Sequence, residues 1–299
     1  MSKIITIDNG VIKVSISTFG AEIVSVKKGD KECIWQGQEG VWSGHAPILF
    51  PFCGRLVNTQ YKVGGKLVEN VPIHGYAKRC EFMVVSEEKA SLSLLLQSSE
   101  EIRKIYPFNV DFRVFFKLDG NALKVYYMVE NNDDKTAYFS VGCHEAFALD
   151  GDFESFAIEF EDDKDFITST GLKSNMLSNF KYKLPLENGV LKLSHSLFSD
   201  DEIERDGGVY ATGSILLEDV KSKRVNLLKD GQKVLSLYYN DFNHLVLWTE
   251  KNAPFIAIEP WNGLPDMIDT DGNIETKKGI LTVEPKEQKT YYHSITFED

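Results

Sequence analysis

Apolar and polar residues alternate one by one along this chain, in short stretches that end at turn-forming residues. The stretches 11–17, 91–96, 112–118, 123–129 and 234–239 all follow this rhythm. Period-two alternation rich in β-branched and aromatic side chains predicts strands. Asp119-Gly120, between two such runs, predicts a tight hairpin turn, and Asp30, Gly64-Gly65 and Asp230-Gly231 punctuate the chain in the same way. Helical signal is sparse: residues 98–106 open on capping serines and stop before Pro107, which predicts one short helix. Residues from 161 to 188 are polar and irregular and read as a long connection or insertion. No Pro- or Gly-rich linker, repeat or low-complexity tract divides the chain. The expectation is an all-β fold, one large antiparallel β-sandwich domain over residues 1–299, because so many strands need two facing layers to bury one side each.

Composition narrows the function. The chain has 299 residues, 42% of them hydrophobic and 26% charged, enough to fill a sizeable core. The 19 Phe, 12 Tyr and 4 Trp suit strands and carbohydrate surfaces alike. A formal net charge of −12 repels phosphate backbones and anionic lipid, so neither nucleic acid nor a membrane is an expected partner. The four cysteines (Cys33, Cys53, Cys80, Cys143) stand far apart without CxxC or CxxH spacing, so they read as inert core thiols. The amino-terminal segment lacks the apolar core of a signal peptide, and no apolar run could span a bilayer; a cytoplasmic location is the expectation. Neither GxGxxG nor GxxxxGK[ST] occurs.

Candidate chemistry lies where titratable residues interrupt apolar runs. Arg55 follows Phe50-Pro51-Phe52-Cys53-Gly54, His74 precedes Gly75-Tyr76-Ala77, and His144 stands in Gly142-Cys143-His144-Glu145-Ala146-Phe147. Glu259 sits in Phe255-Ile256-Ala257-Ile258-Glu259-Pro260-Trp261, the most apolar of these contexts. A buried charge is costly unless paired or used, which makes Glu259 and Arg55 the most diagnostic residues. A carboxylate and an imidazole suit general acid–base work on a polyol, and burial would raise the pKa of Glu259 into a useful range. Taken singly, each histidine reads more readily as a core residue satisfied by backbone, and Arg55 with Glu259 reads equally as a structural ion pair.

In this order the segments resemble the aldose 1-epimerase (galactose mutarotase) superfamily, and within it the LacX-like branch. The resemblance runs almost end to end: Thr18-Phe19-Gly20-Ala21-Glu22-Ile23, Pro47-Ile48-Leu49-Phe50-Pro51, His74-Gly75-Tyr76-Ala77, Tyr106-Pro107-Phe108, Gly142-Cys143-His144, Leu197-Phe198-Ser199-Asp200-Asp201 and Ile258-Glu259-Pro260-Trp261-Asn262-Gly263. It implies a galactose-mutarotase-type supersandwich with an open sugar cleft. Glu259 would be the general base on the C1 hydroxyl and His144 the acid on the ring oxygen. Arg55, His74 and Asp201 would bind the sugar, with Asp200 as the neighbouring alternative to Asp201. Trp248 would stack on a sugar face or pack in the core. The substrate would be a free aldohexose, with no metal and no organic cofactor.

Two positions depart from the family pattern. Glu145 stands where many relatives have Pro; adjacent strand residues point apart, so its side chain is expected on the opposite face, toward solvent. Lys78 stands where relatives often have Arg and cannot reproduce a bidentate contact. The alternatives are a hexose-6-phosphate 1-epimerase, for which Lys78, Arg79 and Arg55 would supply positive charge, and a non-catalytic carbohydrate-binding or sensing protein. A glycoside hydrolase would need two suitably spaced carboxylates. Oligomeric state is not specified by any segment.

Overall fold

The computed structural model describes residues 2–298 except 174, 199–201, 206–207 and 219. Two nine-stranded antiparallel sheets dominate it. One, the outer sheet, runs Val190–Lys192, Phe156–Phe160, Arg224–Lys229, Gln232–Tyr238, Gln288–Phe297, Ala122–Asn131, Val110–Asp119, Ser91–Leu96 and Met83–Glu88. The other, the cleft sheet, runs Met176–Pro185, Phe166–Lys173, Gly208–Leu217, His244–Trp248, Phe255–Asn262, Val141–Cys143 and Ile48–Leu49. Ala146–Ala148 also pairs with Phe255–Asn262, and Glu202–Arg205 with Gly208–Leu217. A four-stranded sheet of Ile4–Asp8, Ile12–Ser17, Ile23–Lys28 and Lys31–Glu32 packs into the same core. The expected all-β sandwich is therefore the observed architecture. No helix among the described residues is long and apolar enough to cross a membrane.

Local signals map onto these elements with little displacement. The run around Asp119-Gly120 forms the hairpin Val110–Asp119/Ala122–Asn131, ten residues a side, with Gly120 at φ 57°. The single α-helix among the described residues is Glu100–Ile105, and the Ser99 hydroxyl accepts the Ile102 N–H at 3.2 Å, satisfying one orphan donor. One expectation fails. The polar stretch 161–188 is no loose connection but contains the long hairpin Phe166–Lys173/Met176–Pro185 at one end of the cleft sheet. Ile167, Tyr182 and Leu184 bury one face in the inter-sheet core, while Asn179, Lys181 and Lys183 lie on the other. A strand wetted on one side carries few apolar residues, so its composition imitates a loop.

Side-chain alternation in the cleft sheet decides what faces where. Ile215, Leu217, Leu245, Leu247, Ile256 and Ile258 turn toward the outer sheet and meet Val125, Tyr127, Leu237 and Ile295 in one continuous core. Leu216, Val246 and Trp261 turn the other way into a smaller cluster with Leu49, Leu172 and Leu264. Phe255–Asn262 is buried along its whole length because both its faces are covered.

The turn carrying His74 is fixed against the base of this sheet. His74 and Gly75 both take left-handed backbone, φ 63° and 74°. A Cβ on Gly75 would stand 2.2 Å from the Phe50 carbonyl oxygen and 2.6 Å from the Pro51 nitrogen, both backbone atoms that cannot swing aside. Gly75→Ala is therefore expected to destabilise by about 2–5 kcal/mol, combining backbone strain with overpacking. A urea midpoint equal to that of the unsubstituted protein would show that this turn does not constrain the fold.

Candidate active site

Glu259 projects from the centre of the cleft sheet. Cross-strand register sets Leu216 opposite Val246 and Val246 opposite Glu259, so these three side chains form one row on the face turned away from the inter-sheet core. His144 lies just beyond Val141–Cys143, with Cys143 pointing into the core and His144 into the cleft. The two meet with His144 Nε2 3.4 Å from Glu259 Oε1. Trp261, two residues after Glu259 and on the same face, donates its indole N–H to Glu259 Oε2 at 3.2 Å.

A cavity of about 590 Å³ opens over this pair. Arg55, His74, Lys78, Arg79, Trp248, Trp42 and Glu22 line it together with Glu259 and His144. Arg55, His74 and Trp248, the residues expected in a sugar site, line the same cavity as Glu259 and His144. Asp201 and its alternative Asp200 lie outside the described residues. The structural ion pair that Arg55 and Glu259 could have formed is absent among the described residues; the polar side chains within reach of Glu259 are His144 and Trp261.

Hydrogen bonding fixes the tautomer of His74. Its Nδ1 accepts the Gly54 backbone N–H at 3.1 Å, so the proton of the neutral ring sits on Nε2. Burial, then the charges of His144, Lys78 and Arg55, hold His74 well below the ordinary imidazole value. It is thus a neutral donor. Aromatic rings pack round the pair: Trp42 stacks on His144 with centroids 5.0 Å apart, while Trp248 and His74 meet His144 edge-on at 5.3 and 5.8 Å.

Dry surroundings govern the ionisation of the pair. Glu259 is 1% exposed, and burial pushes its carboxyl well above the usual carboxylate range despite the Trp261 hydrogen bond. His144 is 9% exposed, and burial lowers it to about 4. Both groups favour their neutral forms, and at this separation they titrate as a unit. At the cavity wall, Glu22 accepts the backbone N–H groups of His45 and Ala46 at 2.8 and 3.1 Å. Burial opposes its ionisation, but the bonds from His45 and Ala46 keep it below the ordinary carboxylate value. Lys78 is lowered by burial and by neighbouring Arg79.

Three contributors had gone unassigned in the sequence. Trp261 was legible, since period-two spacing places it on the face of Glu259. Glu22 sits in the Ala21-Glu22-Ile23 element, but nothing there tied it to the cleft. Trp42 comes from a loop with no local signal at all. Glu145 departs from expectation in a different way. It does point opposite to His144, but that face is the inter-sheet core and not solvent: Glu145 is 1% exposed and its Oε1 lies 3.0 Å from Nε2 of buried His293. In a sheet covered on both sides, the far face is simply another interior.

Cys143 completes a buried trio with Glu145 and His293. Its thiol approaches Nδ1 of His293 at 3.8 Å, whereas Glu145 approaches Nε2. Thiol and carboxylate therefore address opposite nitrogens of one ring, which suits a polar chain better than a common metal centre. Burial pushes the Cys53 and Cys143 thiols up, keeping them neutral as expected of core cysteines.

Comparison with known proteins identifies the family and the fold. The family described as aldose 1-epimerase matches residues 3–293. The chromosomally encoded LacX protein of Lactococcus lactis subsp. lactis is 29% identical over 306 residues, covering 98% of each chain. The structure of a galactose mutarotase related enzyme from Lactobacillus acidophilus superposes with a TM-score of 0.90 at 32% identity, covering 99% of this chain and 98% of that one. A galactose mutarotase-like protein from Lactobacillus casei ATCC 334 gives 0.89 at 27% identity, covering 99% and 100%. With a match spanning nearly the whole sequence and the carboxylate–imidazole pair at the floor of its cavity, the chain belongs to the aldose 1-epimerase family.

Proposed function

We propose that the cavity binds a free aldohexose and interconverts its α and β anomers. The observation that carries this reading is the Glu259–His144 pair: one carboxylate and one imidazole 3.4 Å apart at the base of the cavity. That spacing lets both groups address the two oxygens on a single anomeric carbon. In the ionised arrangement Glu259 takes the proton of the C1 hydroxyl. The O–H electron pair becomes the carbonyl bond, the bond from C1 to the ring oxygen breaks, and that oxygen takes a proton from His144. Rotation about C1–C2 turns the other carbonyl face to the C5 hydroxyl. Reclosure returns one proton to His144 and takes one from Glu259, so the cycle consumes nothing and needs no cofactor. Arg55 and the Nε2–H of His74 are suited to hold oxygens and to stabilise charge on them. Trp248 offers an apolar wall for a sugar face.

Polarimetry on freshly dissolved α-D-glucose and α-D-galactose tests this directly. Glu259→Gln and His144→Asn are each expected to lower the catalysed rate by about 10²–10⁴-fold with circular dichroism unchanged. Rates like those of the unsubstituted protein in either variant would show that the pair is misassigned.

The pH dependence follows from the titration of this pair. As pH falls through about 4, His144 gains a proton while Glu259 keeps its own, leaving no base, so the catalysed rate falls there. On the alkaline side the pair loses its last proton only above the usual carboxylate range, because Glu259 is raised. After subtraction of the spontaneous reaction, the profile should be level through neutrality. A midpoint near the ordinary imidazole value would contradict the dry site.

A second reading, a phosphorylated hexose, draws on Arg55, Lys78 and Arg79. All three reach the cavity, and among the described residues none has a carboxylate within salt-bridge distance. If it holds, Lys78→Met raises the KM for a hexose 6-phosphate at least about tenfold, as expected for a lost charge-assisted contact, while the KM for the free sugar barely moves. Equal effects on both substrates would discard it. A purely carbohydrate-binding role leaves the acid–base pair without a use.

A further inference from the structure

Beneath the cleft, the segment that presents His144 also sends Glu145 toward the outer sheet. Its carboxylate meets His293, 0% exposed, on the strand Gln288–Phe297. The pair lies among the apolar side chains that join the two sheets, and a carboxylate placed there loses its hydration. Burial opposes ionisation of Glu145, yet the charge and proximity of His293 hold it below the ordinary carboxylate value. A well-packed apolar pair would stabilise the sandwich as well or better. Stability alone therefore does not account for the pair.

Aromatic and titratable side chains from both sheets surround the pair. The strand Ala122–Asn131 presents Tyr127, whose ring stacks on His293 with centroids 5.7 Å apart. Phe242 meets the same imidazole edge-on at 6.2 Å. Val141–Cys143 presents the Cys143 thiol, and Phe255–Asn262 carries Glu259 on its far face. Burial raises both Tyr127 and Cys143, so neither brings a charge. The titratable groups in range are thus Tyr127, Cys143, His144 and Glu259, and among the described residues no lysine or arginine pairs with Glu145.

The backbone ties the pair to both reacting groups. Glu145 is covalently next to His144, and its carbonyl accepts the Ile258 N–H at 3.1 Å, one residue before Glu259. The Cys143 thiol lies 3.8 Å from the Pro260 carbonyl, one residue after Glu259. We propose that Glu145 and His293 are positioning residues for the acid–base centre: a carboxylate–imidazole post between the sheets that fixes the segment bearing His144 and sets a negative charge behind His144 and Glu259. This rests on the acid–base reading of the cleft. The charge favours protonation of either one. For His144, burial is the larger influence and lowers it, while Glu145 pulls in the opposite direction. For Glu259, burial raises it and Glu145 adds to the rise.

The test compares Glu145→Gln, which removes the charge at nearly constant shape, with Glu145→Asp, which keeps it. The first readout is the titration of the His144 ring by NMR, assigned by its absence in His144→Asn. It requires no turnover. In Glu145→Gln the midpoint should move to lower pH, because the negative charge that favours imidazolium is gone; in Glu145→Asp it should stay within the spread of repeats. The second readout is anomerisation: kcat should fall on the order of tenfold with KM within about twofold, as for loss of an orienting group behind a functional one. The double variant Glu145→Gln/His293→Gln, an uncharged pair, serves if Glu145→Gln does not fold; because it also removes the counter-charge of His293, a smaller shift in the same direction is expected. A folded uncharged variant with an unmoved His144 titration would overturn the proposal, whatever its loss of thermal stability. A moved titration without sugar turnover in the unsubstituted protein would uphold the electrostatic coupling and refute the mutarotase reading instead.

Discussion

The structure depends on one strand that has no wet face. Phe255–Asn262 lies between the inter-sheet core and the floor of the cleft, so every one of its residues is buried. Ile256 and Ile258 help hold the two sheets together, while the alternate positions carry Glu259 and Trp261 into the cleft. Packing and chemistry share the same backbone at one-residue intervals. Much of the rigidity needed to hold a carboxylate against an imidazole is thereby supplied by the core itself.

Dryness then sets the charge state. In water a carboxylate and an imidazole at this separation would form an ion pair. In the cleft, burial pushes the two toward neutrality. A pair poised in this way can pass a proton in either direction at little cost. The indole of Trp261 holds one carboxylate oxygen and leaves the other toward His144. Glu145, on the reverse side, acts to raise both His144 and Glu259.

The rest of the cleft is built from turns that the sheet alone would not position. His74 sits in left-handed backbone, held there by a glycine pressed against Phe50, and its ring is locked by the Gly54 N–H. Strain of this kind in a non-glycine residue persists where the surroundings over-determine it, and here those surroundings are the floor of the cavity. Arg55 follows the same Phe50-Pro51 segment, so both candidate sugar anchors are tied to one packed element.

The sequence by itself determined the strand content, the Asp119-Gly120 hairpin, the capped helix before Pro107 and the anomalous burial of Glu259, because each is a local pattern whose physics acts within a few residues. It also brought Arg55, His74, His144, Glu259 and Trp248 to notice through their apolar contexts and family resemblance. It misread 161–188, where a half-wetted hairpin has the composition of a loop. It placed Glu145 on the correct face but in the wrong medium. Alternation reports which side of a strand a residue takes, and only the second sheet determines whether that side is water or core. The 3.4 Å approach of His144 to Glu259, the stacking of Trp42 and the meeting of Glu145 with His293 join residues remote in sequence. Tertiary structure alone decided them, because separation in space across paired strands and facing layers is set by register and packing, which no local pattern encodes.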